Sequence, residues 1–286
     1  MLKKTYFHVF GLIESFFEEK IITMHLKGID FMKKTLSLFC IFLLILCIVL
    51  PVSAVSQTYN WFCVHRKDHN QPKADPSLSF IEEYSGYYVD KNHGDECDEK
   101  VIYLTFDAGY ENGNVTRILD VLKSENVPAA FFVLGHMIEK ETQLIKRMQD
   151  EGHLVCNHTF SHKPMVKRSY EEFSAELERL EKSCIEMTGK PLAKYYRPPE
   201  GKFDEDSLRY ACELGYKTVF WSFAYDDWDN GRQMPAERAK NKILDNIHNG
   251  EIMLLHPTSS TNAEILKDVI CRLKSEGYRF GTLDEL

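Results

Sequence analysis

From residue 101 onward the chain alternates short apolar runs with longer stretches whose apolar positions recur at helical spacing. The runs 101–106, 129–133, 154–157, 195–197, 218–222, 251–255 and, more weakly, 279–282 predict strands. The intervening stretches 115–125, 141–151, 170–187, 204–214, 236–248 and 262–276 predict helices. Gly152, Gly189, Gly215, Gly250 and Gly277 stand where those helices should stop, as helix C-termini prefer. Strands separated by helices imply parallel βαβ units and an α/β fold class. Seven such cycles favour a distorted or incomplete seven-stranded parallel (β/α) barrel, with an open doubly wound sheet as the alternative. Residues 55–98 carry Pro72 and Pro76 and little periodicity, and read as an irregular extension ahead of an α/β domain over 99–286.

The first fifty residues follow a different pattern. Lys33 and Lys34 precede an uncharged, almost wholly apolar run from 36 to 50, then Pro51 and the small residues Val52, Ser53 and Ala54. A basic start, an apolar centre and a small-residue cleavage site make residues 32–54 an expected signal peptide. An uncleaved anchor is the alternative, although the run is shorter than the roughly 20 residues of a comfortable span. Translation from Met32 would make residues 1–31 a non-native upstream extension, and translation from Met24 residues 1–23; a genuine cytoplasmic extension is the alternative. The expected location is extracytoplasmic.

The 286 residues contain 35 Lys and Arg against 43 Asp and Glu, a net charge of -8. Removing residues 1–54 takes away 6 Lys and 4 acidic residues and leaves about -10. That balance argues against a nucleic-acid partner bound through bulk charge. Of the 8 cysteines, Cys63, Cys97, Cys156, Cys184, Cys212 and Cys271 lie beyond residue 54. An exported chain permits disulfides, and Cys63–Cys97 is the one pairing the loop-rich stretch suggests. Cys184, Cys212 and Cys271 fall in predicted helices and read as small buried thiols.

Candidate chemistry clusters just after the predicted strands. Asp107 follows the first, His158 and His162 follow the third, Arg197 ends the fourth, Asp226 and Asp227 follow the fifth, and His256 follows the sixth. In a parallel barrel the loops after the strands open on one face, where active sites are built. Each residue alone has a plainer reading. Asp107 before Ala108 and Gly109 suits a turn, Arg197 ahead of two prolines suits a surface ion pair, and His256 suits a core histidine. His158 and His162, four apart, form a plausible metal pair that also arises by chance among 11 histidines. Asp226, Asp227, Trp228 and Asp229 could be a solvated loop, and His136 reads as structural. Five such clusters on one rim make a site.

Together these residues resemble the polysaccharide deacetylase family. Thr105-Phe106-Asp107-Ala108-Gly109 resembles its Thr-Phe-Asp-Asp-Gly motif, and His158-Thr159-Phe160-Ser161-His162 its His-x-x-x-His motif. Arg197-Pro198-Pro199-Glu200-Gly201, Asp227-Trp228 and Leu254-Leu255-His256 resemble the remaining three, in order. The similarity covers about residues 99–286. The run from Thr105 through Tyr110 to Gly113, the Asn157-His158 pair, His256-Pro257 and Asn262-Ala263-Glu264 are similar to the muramic δ-lactam de-N-acetylases of spore-forming bacteria. That resemblance implies removal of acetyl from N-acetylmuramic acid in the spore cortex, after an amidase has stripped the stem peptides, by a monomer acting on the glycan strand.

The resemblance also implies roles. Asp107 would be the general base, oriented by Arg197, and His256 the general acid, kept protonated by Asp227. Trp228, Tyr110 and the backbone near Glu200 would face the sugar and its oxyanion. His158 and His162 would hold a divalent metal, zinc or another transition ion. The family's second Asp, a metal ligand, is Ala108 here, as the δ-lactam subfamily also lacks it, so binding is expected to be loose and exchangeable. A general N-acetylglucosamine deacetylase is the alternative enzyme, and a glycan-binding pseudoenzyme the alternative of another class.

Overall fold

The longest strand sets the frame. In β3 (Lys100–Ala108) every residue but the first and Asp107 is buried, because the strand is covered on both faces. Val101 and Tyr103 pack inward with Ala130, Phe132, Cys156, Val219 and Ile252. Ile102, Leu104, Phe106 and Ala108 pack outward against Ile118, Leu122, Leu266 and Ile270 of the helices. The period of two thus divides one strand between the barrel interior and the helical shell.

The computed structural model describes residues 18–28, 31–35, 37 and 57–286. By contacts the chain divides at residue 55 into two units. In the first, residues 18–28 and 31–35 are helical with exposed side chains. The expected export segment falls, apart from residues 32–35 and 37, outside the described residues. Among the described residues no helix is long and apolar enough to cross a membrane.

In the second unit, short β1 (Tyr59–Asn60) and β2 (Gly86–Tyr87) precede β3. There follow β4 (Ala130–Val133), β5 (Leu154–Asn157), β6 (Ala193–Tyr196), β7 (Lys202–Phe203), β8 (Lys217–Val219), β9 (Glu251–Leu255) and β10 (Tyr278–Phe280). The main sheet runs β10-β3-β4-β5-β6-β8-β2, with β9 also on β3, and every pairing in it is parallel. All seven predicted strands are in it. Phe223, beyond β8, reaches Met253 of β9 through the Leu254 N–H on the Phe223 carbonyl at 2.9 Å. The sheet therefore curls into a distorted, incomplete barrel, and the open sheet is excluded. Where the barrel is weakest, the extension supplies cover: β1 pairs antiparallel with β7, and the Trp61 indole N–H donates to the Trp221 carbonyl at 2.8 Å.

The helices are α1 (Phe80–Glu83), α2 (Asn114–Glu125), α3 (Gly135–Lys140), α4 (Thr142–Asp150), α5 (Tyr170–Thr188), α6 (Glu205–Glu213), α7 (Ala236–Leu244) and α8 (Ser260–Ser275). Two starts are set by reciprocal caps, Ser169 with Glu172 on α5 and Asp204 with Ser207 on α6. The short α3 was not legible, and it carries His136, which is exposed. The helix predicted to reach residue 248 ends at Leu244. Gly250 therefore stops no helix. It lies where a Cβ would sit 2.4 Å from the Asp90 carbonyl oxygen, so close packing of the extension demands glycine.

The Cys63–Cys97 pairing is not formed: both thiols are free. Cys63 donates to the Trp221 carbonyl at 3.2 Å, and burial pushes its pKa up to about 12, as expected of an inert packed thiol. Cys184 is buried as predicted, whereas Cys271 is exposed.

Candidate active site

The C-terminal ends of β3, β5, β6, β8 and β9 deliver the polar residues to one cleft of about 780 Å³. Asp107, His158, His162 and His256 line it, and Tyr110, Glu200, Asp226 and Trp228 form its walls and mouth. Arg197 and Asp227 lie just behind, fully buried.

Arg197 organises the base side. Its guanidinium donates to Asp107 Oδ1 at 2.9 Å, to Thr105 Oγ1 at 2.9 Å, and to the Val219 and Phe220 carbonyls at 2.9 and 3.1 Å. The Phe132 ring lies 4.1 Å below it. A buried arginine this fully bonded has one geometry. Burial disfavours ionised Asp107, but the positive charges around it outweigh that effect and hold its pKa below the ordinary carboxylate value. Arg197 is the permanent member of that set.

The loop after β5 is strained into place. Thr159 and His162 have φ of 70° and 56°, conformations that non-glycine residues adopt at a cost. Buried Asn157 accepts from the Thr159 N–H at 2.9 Å and donates to the Leu177 carbonyl and Tyr216 hydroxyl. Thr159 Oγ1 accepts from the His162 N–H at 3.0 Å. Gly135 admits Phe160, whose ring would meet a Cβ there at 2.6 Å.

This loop sets the histidine tautomer. His158 Nδ1 lies 2.8 Å from the Arg197 carbonyl, which can only accept, so Nδ1 carries the proton and Nε2 a lone pair. Nε2 sits 3.5 Å from Asp107 Oδ2. Burial lowers the His158 pKa to about 4, so two electron-pair donors face each other without a proton between them. The His162 ring centroid is 5.0 Å from that of His158. This donor set fits a divalent cation held by the two imidazoles. A third protein ligand is missing: Ala108 is buried in the apolar layer under the helices, and among the described residues no cluster of three His, Cys, Asp or Glu side chains is placed to hold a metal.

The acid side is built on β9. His256 Nδ1 bonds Asp227 Oδ1 at 2.7 Å, and the His256 N–H donates to Asp227 Oδ2 at 2.8 Å. Burial would discharge the ring, yet the bond and charge of Asp227, with Asp107 adding, raise its pKa above the ordinary imidazole value. One ring nitrogen is thus committed to Asp227, which leaves Nε2 for the cleft.

At the mouth Trp228 is 60% and Tyr110 45% exposed, flat faces of the kind on which sugar rings stack. The Tyr110 hydroxyl accepts from the Asn230 side-chain amide, joining the two loops. Glu200 has φ of 58° and pairs with Lys202. Asp226 is exposed. Sequence reasoning missed Thr105, Trp221, Leu134 and the support given by Asn262, whose only signal was adjacency to a motif.

The sequence profile described as polysaccharide deacetylase matches residues 94–219. The peptidoglycan-N-acetylmuramic acid deacetylase PdaA of Bacillus subtilis is 41% identical over 232 residues, 81% of this chain and 86% of that protein. The chain belongs to the polysaccharide deacetylase family. The solved structure of B. subtilis PdaA, described as a family 4 carbohydrate esterase, superposes with a TM-score of 0.76 over 80% of this chain and 97% of that one. A peptidoglycan-N-acetylglucosamine deacetylase of Bacillus cereus is 31% identical over 241 residues, 83% of each. This polysaccharide deacetylase is a hydrolase of amide bonds.

Proposed function

We propose that this chain removes acetyl groups from the amino sugars of peptidoglycan, and that its sugar is N-acetylmuramic acid, in the sequence that closes the muramic δ-lactam of the spore cortex. The observation that carries the chemistry is the pairing of an ionised Asp107, fixed by Arg197, with a protonated His256, fixed by Asp227, across one cleft. Muramic acid is supported by the 41% identity to PdaA. Export to an extracytoplasmic compartment, supported by the pattern at 32–54, would put the protein beside its substrate.

Water, acetyl amide and proton acceptor meet as follows. Asp107 takes a proton from the attacking water, and Arg197 keeps the carboxylate ionised and aimed. His256 delivers its Nε2 proton to the departing nitrogen, so acetate and a free amine leave. A divalent cation on His158 and His162 would supply Lewis acidity toward the acetyl carbonyl oxygen. Trp228 and Tyr110 seat the sugar ring, and Glu200 bounds it on the side of Gly201. Gly201 has φ of 66° and lies where a Cβ would meet the Trp221 ring at 2.8 Å, so the glycine keeps that wall flat.

One observation favours N-acetylglucosamine instead. Among the described residues the cleft lining includes Asp107, Glu200 and Asp226 but no lysine or arginine, which suits a neutral sugar better than one bearing a free lactyl carboxylate. Acetate release by the full chain from peptide-stripped peptidoglycan and from N-acetylglucosamine oligomers, with and without chelator, separates the two. Mass spectrometry should place the lost acetyl on muramic acid, and chelation should suppress the release. Release from the oligomers alone transfers the assignment to N-acetylglucosamine. Glycan binding without release from either, even with added divalent metal, makes the chain a binding pseudoenzyme.

A further inference from the structure

Asp227 and His256 are joined by a third residue that carries no charge. Asn262 stands in the first turn of α8, where its N–H donates to the capping Ser259 Oγ at 3.1 Å. It is 1% exposed, and its side-chain amide is fully used. Nδ2 donates to Asp227 Oδ2 at 2.6 Å and to the His256 carbonyl at 3.1 Å. Oδ1 accepts from the buried Tyr225 hydroxyl, which fixes the orientation of the amide. The two Nδ2 protons therefore clasp the carboxylate and the histidine backbone at the same time.

With this clasp Asp227 accepts three hydrogen bonds, from His256 Nδ1, His256 N and Asn262 Nδ2. We infer that Asn262 is a positioning residue for proton delivery: it locks Asp227 against His256 so that the imidazole is held in one orientation with Nε2 toward the cleft. The inference rests on the proposed role of His256 as proton donor and adds a part to that machinery. The charged groups that face His256 are Asp227 from the loop after β8, Asp107 at the end of β3 and Arg197 behind it. The first turn of α8 brings no acidic residue, so an amide is the whole of its contribution.

Asn262→Leu keeps the branching and heavy-atom count of the side chain and deletes both donors. In the full chain it should lower kcat about 10-fold, the scale of losing an outer partner, with KM unchanged. The alkaline limb of the rate profile should move to lower pH. The His256 ring resonances, followed by NMR, should titrate at lower pH by the same amount. Tyr225→Phe frees only the Oδ1 end and should shift both readouts less, in the same direction, which keeps the test readable if Asn262→Leu does not fold. Thr261→Val serves as the structural control: it deletes the bond from Thr261 Oγ1 to the Met234 carbonyl, so it should lower Tm and leave the His256 titration where it was. Loss of Tm in Asn262→Leu with an unmoved His256 titration would overturn the inference. If the wild-type chain released no acetate from any glycan, the functional reading would fall, while the NMR titration would still decide the clasp.

Discussion

Strand β9 carries a histidine–carboxylate pair at each end, and the two pairs are in opposite states. At its C-terminal end His256 and Asp227 are 2.7 Å apart, and against the pull of burial this contact raises the His256 pKa above the ordinary imidazole value. At its N-terminal end His248 Nδ1 lies 3.1 Å from Glu251 Oε2, but burial pulls the His248 pKa down to about 4 and pushes Glu251 well above the carboxylate range. The lower pair is neutral. Its Nδ1 also faces the Asn246 carbonyl at 3.0 Å, and its Nε2 faces Ser222 Oγ at 2.8 Å. Serine, histidine and carboxylate thus lie in the order of a hydrolytic triad, yet all three are buried. Residue type and spacing do not make a catalyst. Asp227 accepts three hydrogen bonds and its partner reaches the cleft, whereas Glu251 is wholly buried with one oxygen that has no hydrogen-bond partner.

The largest effects should come from the cleft. Asp107→Asn and His256→Ala should each reduce acetate release about 10²–10⁴-fold, as loss of a proton-transfer group does, with the circular dichroism spectrum unchanged. Survival of most of the activity in either variant would remove that residue from the proton path. Arg197→Met should act on folding as well, because it takes the buried guanidinium away from the half-buried Asp107 carboxylate. Breaking such a pair costs about 3–5 kcal/mol, readable as a lower urea midpoint.

The pH profile sharpens the comparison. In the proposed mechanism Asp107, with its lowered pKa, serves as base above that value, and His256, with its raised pKa, serves as acid below its own. The rate should therefore hold a broad plateau through neutrality, fall on the acid side as Asp107 protonates, and fall on the alkaline side as His256 discharges. Asp227→Asn should move only the alkaline limb, to lower pH, and cost about 10²-fold at neutral pH. A narrow optimum, or an acid limb that moves with Asp227, would show that the two groups are not separated as drawn.

Much of this was legible beforehand. The strands were readable because each is a short apolar run bounded by helices, and the site because five strand ends carry polar residues in sequence order. What was hidden is what side chains do from a distance. Asn262, Thr105 and Trp221 act on residues far along the chain, and the motifs that contain Thr105 and Asn262 do not say what their side chains touch. The Gly250 contact depends on the extension, whose Asp90, Gln71 and His93 crowd it. Cys63 gave a misleading signal because residue spacing reports loop length and says nothing of where a thiol points. His248, Glu251 and Ser222 drew no notice, since each sits inside an apolar run or before a glycine.

The smallest expected effect is the most telling about the lower pair. A histidine held neutral to about pH 4 against 6.5 in the unfolded chain leaves the unfolded state binding more protons in that window. Stability therefore rises with pH from 4 to 6.5, by up to about 1.4 kcal/mol per unit. Glu251 has the opposite sign: folded, it keeps a proton that the unfolded chain releases above the ordinary carboxyl value of 4.5, so stability falls as pH rises past that point. The two slopes oppose each other between 4.5 and 6.5, and the wild-type curve should be nearly flat there with respect to this pair. Glu251→Gln imitates the neutral acid at every pH. It should leave stability within about 1 kcal/mol at pH 4, where the carboxyl is protonated in both states, and become progressively stabilising toward neutrality. His248→Asn should tilt the curve the other way. Urea midpoints at half-unit steps from pH 4 to 8 would read both slopes, and a Glu251→Gln variant destabilised at neutral pH would mean that the lower pair is an ion pair after all, like the one at the other end of the strand.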